Sequence, residues 1–255
     1  MIGNTAENAG AMMRRICAAA AILCAAAHAT PYTWTGGGSA GNWNDPLNWS
    51  PSTGAPNAGD TATLELSSTL AITSDIALSA GTLTISNNGA AVSFTGVISG
   101  AGGLELRGNK GIELKGDNTF EGGVFRHSFL SYVDLYHENG LGKGKFTACD
   151  GAVSGGSAGS TPLRILGQSL TVPNDMEFGR ESYVSWNGSI YFKYSATFTG
   201  AMRFKAQTRF GDYGGGTFEY IRFKNTVTAT DCLVVQNLGA RSIYYEKAPV
   251  GGKFH

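Results

Sequence analysis

Short runs of alternating apolar and polar residues fill most of the chain after residue 30. Each run is closed by Gly, Asn, Asp or Ser, which favour turns. One side of every run is apolar and the other carries Thr, Glu, Arg, Lys or Ser, as in a β-strand that buries one face. The clearest runs are Thr63–Leu66, Leu83–Ile85, Leu104–Arg107, Ile112–Lys115, Ser189–Phe192 and Met202–Lys205. Because no stretch has the period of a long helix, the pattern predicts an all-β fold.

Two short blocks occur twice in the sequence and indicate stacked coils. Phe94–Ile98 (FTGVI) resembles Phe198–Met202 (FTGAM), and upstream Leu83–Asn87 (LTISN) resembles Leu170–Asn174 (LTVPN). The interval between the copies differs for the two blocks, so the later copy carries extra residues between them. A solenoid accommodates such an insertion as an outward loop that leaves the ladder of strands intact.

Composition agrees with a turn-rich fold and excludes several classes of function. Of 255 residues 37 are Gly, about twice the usual share of roughly 7%, and only 15% are charged. The 19 basic and 19 acidic residues cancel, so we predict no nucleic-acid partner. No metal-ligand spacing is present, and we predict no metal and no other cofactor. Beyond the N-terminal segment the cysteines are Cys149 and Cys232, which suit either one disulfide or two buried side chains.

The first 29 residues have the features of a secretory signal peptide. Arg14 and Arg15 precede an uninterrupted small and apolar run over residues 16–27, and Ala27-His28-Ala29 supplies the small residues that signal peptidase prefers. The run is too short for a membrane span, which needs about 20 residues. We therefore predict cleavage after Ala29, soluble export and no membrane span in the mature chain. A buried N-terminal helix is the alternative interpretation.

One long stretch resembles a repeat of exported bacterial proteins. Gly96–Gly123, GVISGAGGLELRGNKGIELKGDNTFEGG, is similar to the autotransporter-associated β-strand repeat in its glycine positions, its Leu-x-Leu strand and its Asn-x-Phe-x-Gly-Gly end. Asn139–Gly144 is similar to the turn that often follows that repeat. The block Tyr32–Leu64, which contains three tryptophans, resembles the leader that often opens such passengers.

This resemblance implies a right-handed parallel β-helix, carried as the passenger of a bacterial autotransporter or a related surface protein. It divides the chain into a signal peptide over residues 1–29, an N-terminal aromatic cap or leader over 30–62, and a β-solenoid passenger over 63–255. No translocator domain follows in the sequence, so we expect a product truncated at its C-terminus or a small free-standing member. The implied location is the bacterial outer-membrane surface or the extracellular space.

The N-terminal aromatic residues are the only ligand-binding candidates that the sequence offers. Trp34, Trp43 and Trp49 could form a platform on which a sugar ring stacks. They also suit a cap over the first coil of the solenoid, which is the interpretation that we favour. A later aromatic group, from Tyr183 to Phe223, lies in alternating strands and is predicted to form mostly core and cross-strand packing.

Candidate catalytic residues are few. His127 and His137 do not accompany any nucleophile motif. Asp134, Glu138 and Asp150 surround the turn at residues 139–144, and a pair of them in a groove could act as acid and base. We expect them to be solvated loop charges instead.

We therefore predict a non-enzymatic, exported β-solenoid with an adhesin-like or structural role, whose partners are host or environmental surface glycans or proteins. The alternative is a carbohydrate-binding or carbohydrate-active β-helix module. A groove that holds two carboxylates about 5 to 10 Å apart would favour the enzyme, and a continuous polar face would favour the scaffold. A third interpretation is a nonfunctional fragment of a larger gene product.

Overall fold

The computed structural model describes residues 29–127, 132–148, 163–179, 188–205, 208–213, 219–230, 233–236 and 241–254. Residues 1–28 of the predicted signal peptide, both later cysteines and Asp150 lie outside these ranges. Within them the regular structure is β, apart from one 3-10 turn at Pro46–Asn48.

The strands form two long sheets and two shorter ones. Sheet A contains, in spatial order, Trp49–Ser50, Pro31–Trp34, Thr61–Leu64, Thr82–Asn87, Gly103–Gly108, Val124–Arg126, Phe146–Ala148, Met176–Phe178, Met202–Phe204 and Val227–Ala229. Sheet B contains Leu70–Ile72, Val92–Phe94, Ile112–Leu114, Val133–Leu135, Leu163–Ile165, Gly188–Phe192, Thr208–Asp212, Leu233–Gln236 and Lys253–Phe254. Sheet C contains Ile76–Leu78 and Ile98–Gly100, and sheet D contains Leu170–Val172, Ala196–Phe198, Tyr220–Phe223 and Ser242–Tyr245.

The chain visits these sheets in turn, which makes the stack a parallel β-solenoid. From sheet A it crosses to sheet B, then in most coils to sheet C or D, and returns to sheet A one strand further along. Among the described strands every neighbouring pair is parallel, except Pro31–Trp34 with Trp49–Ser50. One coil takes 20 to 30 residues, because Leu104 is paired with Val124, and Phe146 with Met176. The predicted all-β, parallel β-helix is confirmed.

Glycine allows a tight corner between sheets A and B. The runs at residues 104–107 and 112–115 lie in these two sheets, one on each side of the corner. Gly108, at that corner, has a φ of +102°. A Cβ atom there would lie 2.0 Å from the carbonyl oxygen of Asn87 in the preceding coil. The corner therefore requires glycine for both its backbone conformation and its close contact.

The repeated sequence blocks do not occupy equivalent positions. Phe94–Ile98 leads from sheet B to sheet C, whereas Phe198–Met202 leads from sheet D to sheet A. Leu83–Asn87 lies in sheet A, and its partner block Leu170–Asn174 begins in sheet D. The stacked coils that the repetition predicted are present, but the repetition itself reflects a strand–turn–strand pattern that fits more than one corner.

Rows of apolar side chains fill the interior along the stack. In the later coils these rows are aromatic: Phe178 stacks on Phe204 with ring centroids 5.4 Å apart, and Phe198 stacks on Phe223 at the same distance. The prediction that the later aromatic group packs in the core is therefore confirmed for those of its phenylalanines that the structure describes. The buried members are Phe192, Phe198, Phe204, Phe210 and Phe223. Tyr183, Trp186 and Phe218 lie outside the described ranges.

A buried asparagine ties three successive coils together. The Asn118 side chain is 1% exposed. Its Oδ1 accepts a hydrogen bond from the Ile98 N–H at 2.7 Å, and its Nδ2 donates to the Gly140 carbonyl oxygen at 2.8 Å. Ile98 belongs to the preceding coil and Gly140 to the following one, so this side chain satisfies backbone groups that the corner would otherwise leave unpaired.

We predict that Asn118→Ala lowers the free energy of unfolding by about 2–3 kcal/mol, because it removes the partner of a buried N–H and of a buried carbonyl. Urea denaturation followed by circular dichroism measures the change. Asn88→Ala is the matched control, since Asn88 is exposed and makes a weak bond of 3.4 Å to Ser86 Oγ. A loss for Asn118→Ala no larger than that of the control would contradict the prediction.

Candidate functional site

The N-terminal tryptophans lie largely inside the fold. Trp43 and Trp49 are 0% and 1% exposed, and their rings meet edge to face with centroids 4.6 Å apart. Their indole N–H groups donate to the carbonyl oxygens of Pro56 and Trp43 respectively. Trp34 is partly exposed and packs edge-on against Trp49, with ring centroids 5.0 Å apart. Of the three predicted ligand residues, only Trp34 therefore lies at the surface.

These side chains cover the first coil of the solenoid. The Trp43 ring reaches Phe94 in the core, at a centroid distance of 5.8 Å. The short strand Trp49–Ser50 pairs antiparallel with Pro31–Trp34 and forms the edge of sheet A. A two-residue edge strand leaves few backbone groups open to pairing with another chain. The N-terminal aromatic segment thus supplies the edge strand of sheet A, and its assignment as a cap or leader stays a prediction.

Among the described residues, a group of polar and aromatic side chains lies together on the outer face of sheet B. Parallel register places Glu113, Asp134, Arg164 and Tyr191 side by side in one row across four coils. Neighbouring strands lie about 4.8 Å apart, so adjacent members of the row are in contact distance. The flanking positions add Lys115, Tyr132 and Tyr136 from the same coils and Tyr213 from the coil that follows them. We call these eight residues the sheet-B cluster.

Arg164 occupies the centre of the sheet-B cluster. Its Nε and Nη2 donate to the two carboxylate oxygens of Asp134, and its Nη1 donates to the Tyr213 hydroxyl at 3.1 Å. The guanidinium carbon lies 3.4 Å from the ring centroid of Tyr132 and 4.7 Å from that of Tyr213. A bidentate ion pair and two cation–π contacts thus fix the guanidinium in one orientation.

Each carboxylate of the row has its own cation. Burial raises the pKa of the Asp134 carboxyl above its ordinary value, and the Arg164 guanidinium opposes part of that shift. The Glu113 carboxylate pairs with Lys115 Nζ at 2.7 Å. Burial, reinforced by the charges of Glu113 and Asp134, raises the pKa of Tyr136 to about 12, so its hydroxyl stays neutral at physiological pH. The face is therefore polar but locally neutral.

Two glycines allow tyrosine rings to lie flat on sheet B. A Cβ atom on Gly111 would fall 1.9 Å from the Tyr132 ring, and one on Gly211 would fall 2.7 Å from the Tyr191 ring. Both rings therefore extend across the backbone of a neighbouring coil. Tyr191 also meets Tyr213 edge-on, with centroids 6.5 Å apart. Because the Arg164 guanidinium already covers the Tyr132 ring, the Tyr191 ring is the one of the two that can pack against a sugar ring.

The predicted acid–base candidates are not assembled around the turn. Asp134 is buried within a strand of sheet B and paired with Arg164, so the expectation that it is a solvated loop charge is wrong. Glu138 is exposed at the turn. The structure instead brings Glu113 beside Asp134, one coil away in register. Glu113 is ion-paired with Lys115, and Asp134 with Arg164, so each of these two carboxylates has a neighbouring cation.

Sequence reasoning missed most of the sheet-B cluster. Tyr191 and Tyr213 lie partly exposed on the outer face and meet edge-on across neighbouring coils, which agrees with the predicted cross-strand packing, but the sequence does not indicate that they belong to a site. Arg164 was not singled out. The available signal was its place between Leu163 and Ile165, both fully buried, because alternation marks the residue between them as outward-facing.

The comparisons with known proteins name no relative. No family model, curated protein or solved structure matches this chain. Its function must therefore be inferred from the fold and from the chemistry of its faces. Across the described residues, no helix has the length and apolar character needed to cross a bilayer. The same residues include no group of three or more His, Cys, Asp or Glu side chains placed to hold a metal ion.

Sheet A carries a different arrangement, in which one carboxylate links three coils. The two Glu177 oxygens accept hydrogen bonds from Lys145 Nζ at 2.6 Å and Lys205 Nζ at 2.7 Å, one lysine from each adjacent coil. A shallow groove of about 290 Å³ runs beside these residues and continues past Arg203 and Thr228 into a wider one of about 480 Å³. No aromatic side chain of the described residues lines either groove, so this face is less suited to stacking than sheet B.

We predict that Glu177 stabilises the fold only above acidic pH. Burial would raise the pKa of its carboxyl, but the two lysines outweigh burial and hold the pKa below the ordinary value of 4.5. A carboxyl whose pKa is lower in the folded state contributes stability above its unfolded pKa and loses it as the pH falls through the folded value. Glu177→Gln should therefore cost roughly 1 kcal/mol at neutral pH and nothing at the acid end.

Urea denaturation of both proteins at pH 7 and near pH 3 measures this difference. Glu121→Gln serves as the control, because Glu121 is exposed and forms no ion pair with a described residue. The same cost for Glu177→Gln at both pH values would show that its charge is not the source of the stabilisation.

Proposed function

We propose that this protein is an exported bacterial surface β-solenoid with an adhesin-like role, which binds saccharides on sheet B without catalysis. The observation that carries the proposal is the fixed aromatic and ionic surface around Arg164. There Asp134 and two tyrosine rings hold the guanidinium, and Tyr191 lies flat beside it across Gly211.

The rigidity of this surface supports a binding function. Side chains that are already ordered lose little conformational entropy when a ligand packs on them, which favours affinity. The Tyr191 ring offers a partly exposed apolar surface, and the neighbouring Tyr213 hydroxyl, which accepts from Arg164, can still donate its proton to a sugar hydroxyl group. Because the charges of the row are already paired, the matching ligand is a neutral saccharide.

The same pairing supports binding over the carbohydrate-active alternative. Glycoside hydrolysis requires one carboxyl that donates a proton and a second that acts as base or nucleophile. Glu113 and Asp134 have a suitable backbone spacing, but each is bound to a cation of its own. We therefore assign them a structural role in the surface.

The solenoid architecture supports a surface role. Its faces continue along the stack, so several weak contacts with an extended partner can act together. The signal-peptide features of residues 1–29 and the resemblance of Gly96–Gly123 to a passenger repeat support export to the bacterial surface or the medium.

We predict that the protein purified after expression of the full chain binds neutral glycans on an array. Tyr191→Ala should weaken this binding about tenfold, or about 1.4 kcal/mol. The matched control is Phe125→Ala, which removes a partly exposed ring from the outer face of sheet A and should change binding less than twofold. Trp34→Ala tests the N-terminal site in the same experiment.

The outcomes separate the candidate functions. If only Tyr191→Ala loses glycan binding, the result supports the sheet-B cluster as the binding site. If only Trp34→Ala loses it, the binding site lies in the N-terminal segment instead. Release of shorter saccharides from the array would favour the carbohydrate-active alternative. An array without any bound glycan would contradict saccharide binding and leave a structural role.

We also predict that the exported protein begins at Thr30. Expression of the full chain in a bacterium, followed by N-terminal sequencing of the secreted product, measures the cleavage point. Ala29→Arg should block processing, since signal peptidase prefers small residues at this position. Retention of the unprocessed wild-type chain inside the cell would contradict export.

A further inference from the structure

A second arginine lies between two tyrosines, on sheet D. The Arg222 guanidinium carbon is 5.4 Å from the ring centroid of Tyr220 and 5.7 Å from that of Tyr244. The two rings meet edge-on with centroids 6.4 Å apart. Arg222 and Tyr244 are paired in register on adjacent coils. Since Tyr244 is 48% exposed, this arrangement is open to solvent.

The arrangement around Arg222 differs from that around Arg164 because no carboxylate occupies the paired position on the preceding coil. On sheet B the preceding coil places Asp134 beside Arg164. On sheet D the preceding coil places Thr197 beside Arg222. No carboxylate of the described residues forms an ion pair with Arg222. Two tyrosines thus hold a guanidinium whose hydrogen-bonding edge is not occupied by an acid from the described coils.

The adjoining corner adds another positive charge. Lys193 is exposed, and its Nζ lies 5.4 Å from the ring centroid of Tyr194. It has no carboxylate partner within the described part of the chain either. In the same corner the Ser195 hydroxyl accepts hydrogen bonds from the N–H groups of Glu219 and Tyr220, which places the corner against Tyr220. The surface from Lys193 to Arg222 therefore combines two cations with the exposed Tyr244 ring and the partly exposed rings of Tyr194 and Tyr220.

We propose that Tyr220, Arg222 and Tyr244 form a binding site for a saccharide that carries an oxyanion, either a uronate carboxylate or a sulfate. The oxyanion takes on Arg222 the place that Asp134 takes on Arg164, and the sugar ring packs against Tyr244. A guanidinium binds such groups through two parallel N–H···O bonds, which makes this geometry specific for planar or tetrahedral oxyanions. This site is on a different sheet from the neutral sheet-B cluster, so the two can be tested separately.

The test measures binding of the secreted full chain to immobilised polygalacturonate, dextran sulfate and uncharged dextran. We expect binding to at least one charged polymer that is stronger than any binding to dextran and depends on Arg222, since a neutral polymer can be bound only by the sheet-B cluster. Arg222→Gln should lower the affinity at least tenfold. Thr197→Asp should abolish binding, because the new carboxylate lies beside Arg222 in register, as Asp134 lies beside Arg164.

Thr171→Asp is the matched control for this substitution. Thr171 lies in the same outward row of sheet D, one coil further from Arg222, and is paired with Thr197. The Thr171→Asp variant adds the same negative charge to the same face without reaching the Arg222 guanidinium. It should therefore retain most of the binding to the charged polymers. Tyr191→Ala on sheet B should leave binding of the charged polymers unchanged. Unfolding midpoints of all variants show whether each remains folded.

Each outcome decides the proposal. Binding to polygalacturonate alone assigns a carboxylate ligand, binding to dextran sulfate alone assigns a sulfate, and binding to both assigns the shared oxyanion. Equal losses in Thr197→Asp and Thr171→Asp would show general charge repulsion and overturn the proposal. Unchanged affinity in folded Thr197→Asp, or no binding to either charged polymer, would overturn it as well.

Discussion

Parallel register is the constraint on which the rest of this structure depends. Every residue in a strand lies beside the residue at the same position of the next coil, because neighbouring strands of a β-sheet are about 4.8 Å apart. Inside, this forces like side chains into rows, such as Phe178 on Phe204. Outside, it turns residues that are distant in sequence into neighbours, such as Asp134 and Arg164. Core composition and surface chemistry are therefore set by the same pairing of coils.

The register persists because polar side chains join successive coils where the apolar core does not reach. Asn118 joins three coils at a corner through backbone groups. Glu177 joins three coils on sheet A through two lysines. Arg164 joins Asp134 of the preceding coil to Tyr213 of a later one. The contacts that hold the outer face of sheet B together are thus the contacts that make it a rigid surface, so its stability and its proposed binding function have one origin.

The fold could be predicted from the sequence because alternation needs only local information. Ile112–Leu114 shows which of its faces is buried without reference to any other strand, and Gly108 marks a corner by its residue type. The site could not be predicted, because it depends on which residues become neighbours across coils. Coil length varies from 20 to 30 residues, as the pairings of Leu104 with Val124 and of Phe146 with Met176 show. The partner of Arg164 therefore cannot be counted along the chain.

In the two proposed sites, a single outward residue beside the arginine determines whether the surface suits a neutral or an acidic saccharide. Arg164 and Arg222 each lie on an outward row between two tyrosine rings. Asp134 of the same chain binds the Arg164 guanidinium. Thr197, at the equivalent position beside Arg222, leaves that guanidinium available to the acidic group of a ligand. The residue that decides the difference faces away from the apolar interior, so exchanging it alters the chemistry of the face and leaves the packed rows of the core in place. A parallel solenoid can in this way gain or lose a site through one outward position, because its fold depends on the inward positions and its surface on the pairs that register creates.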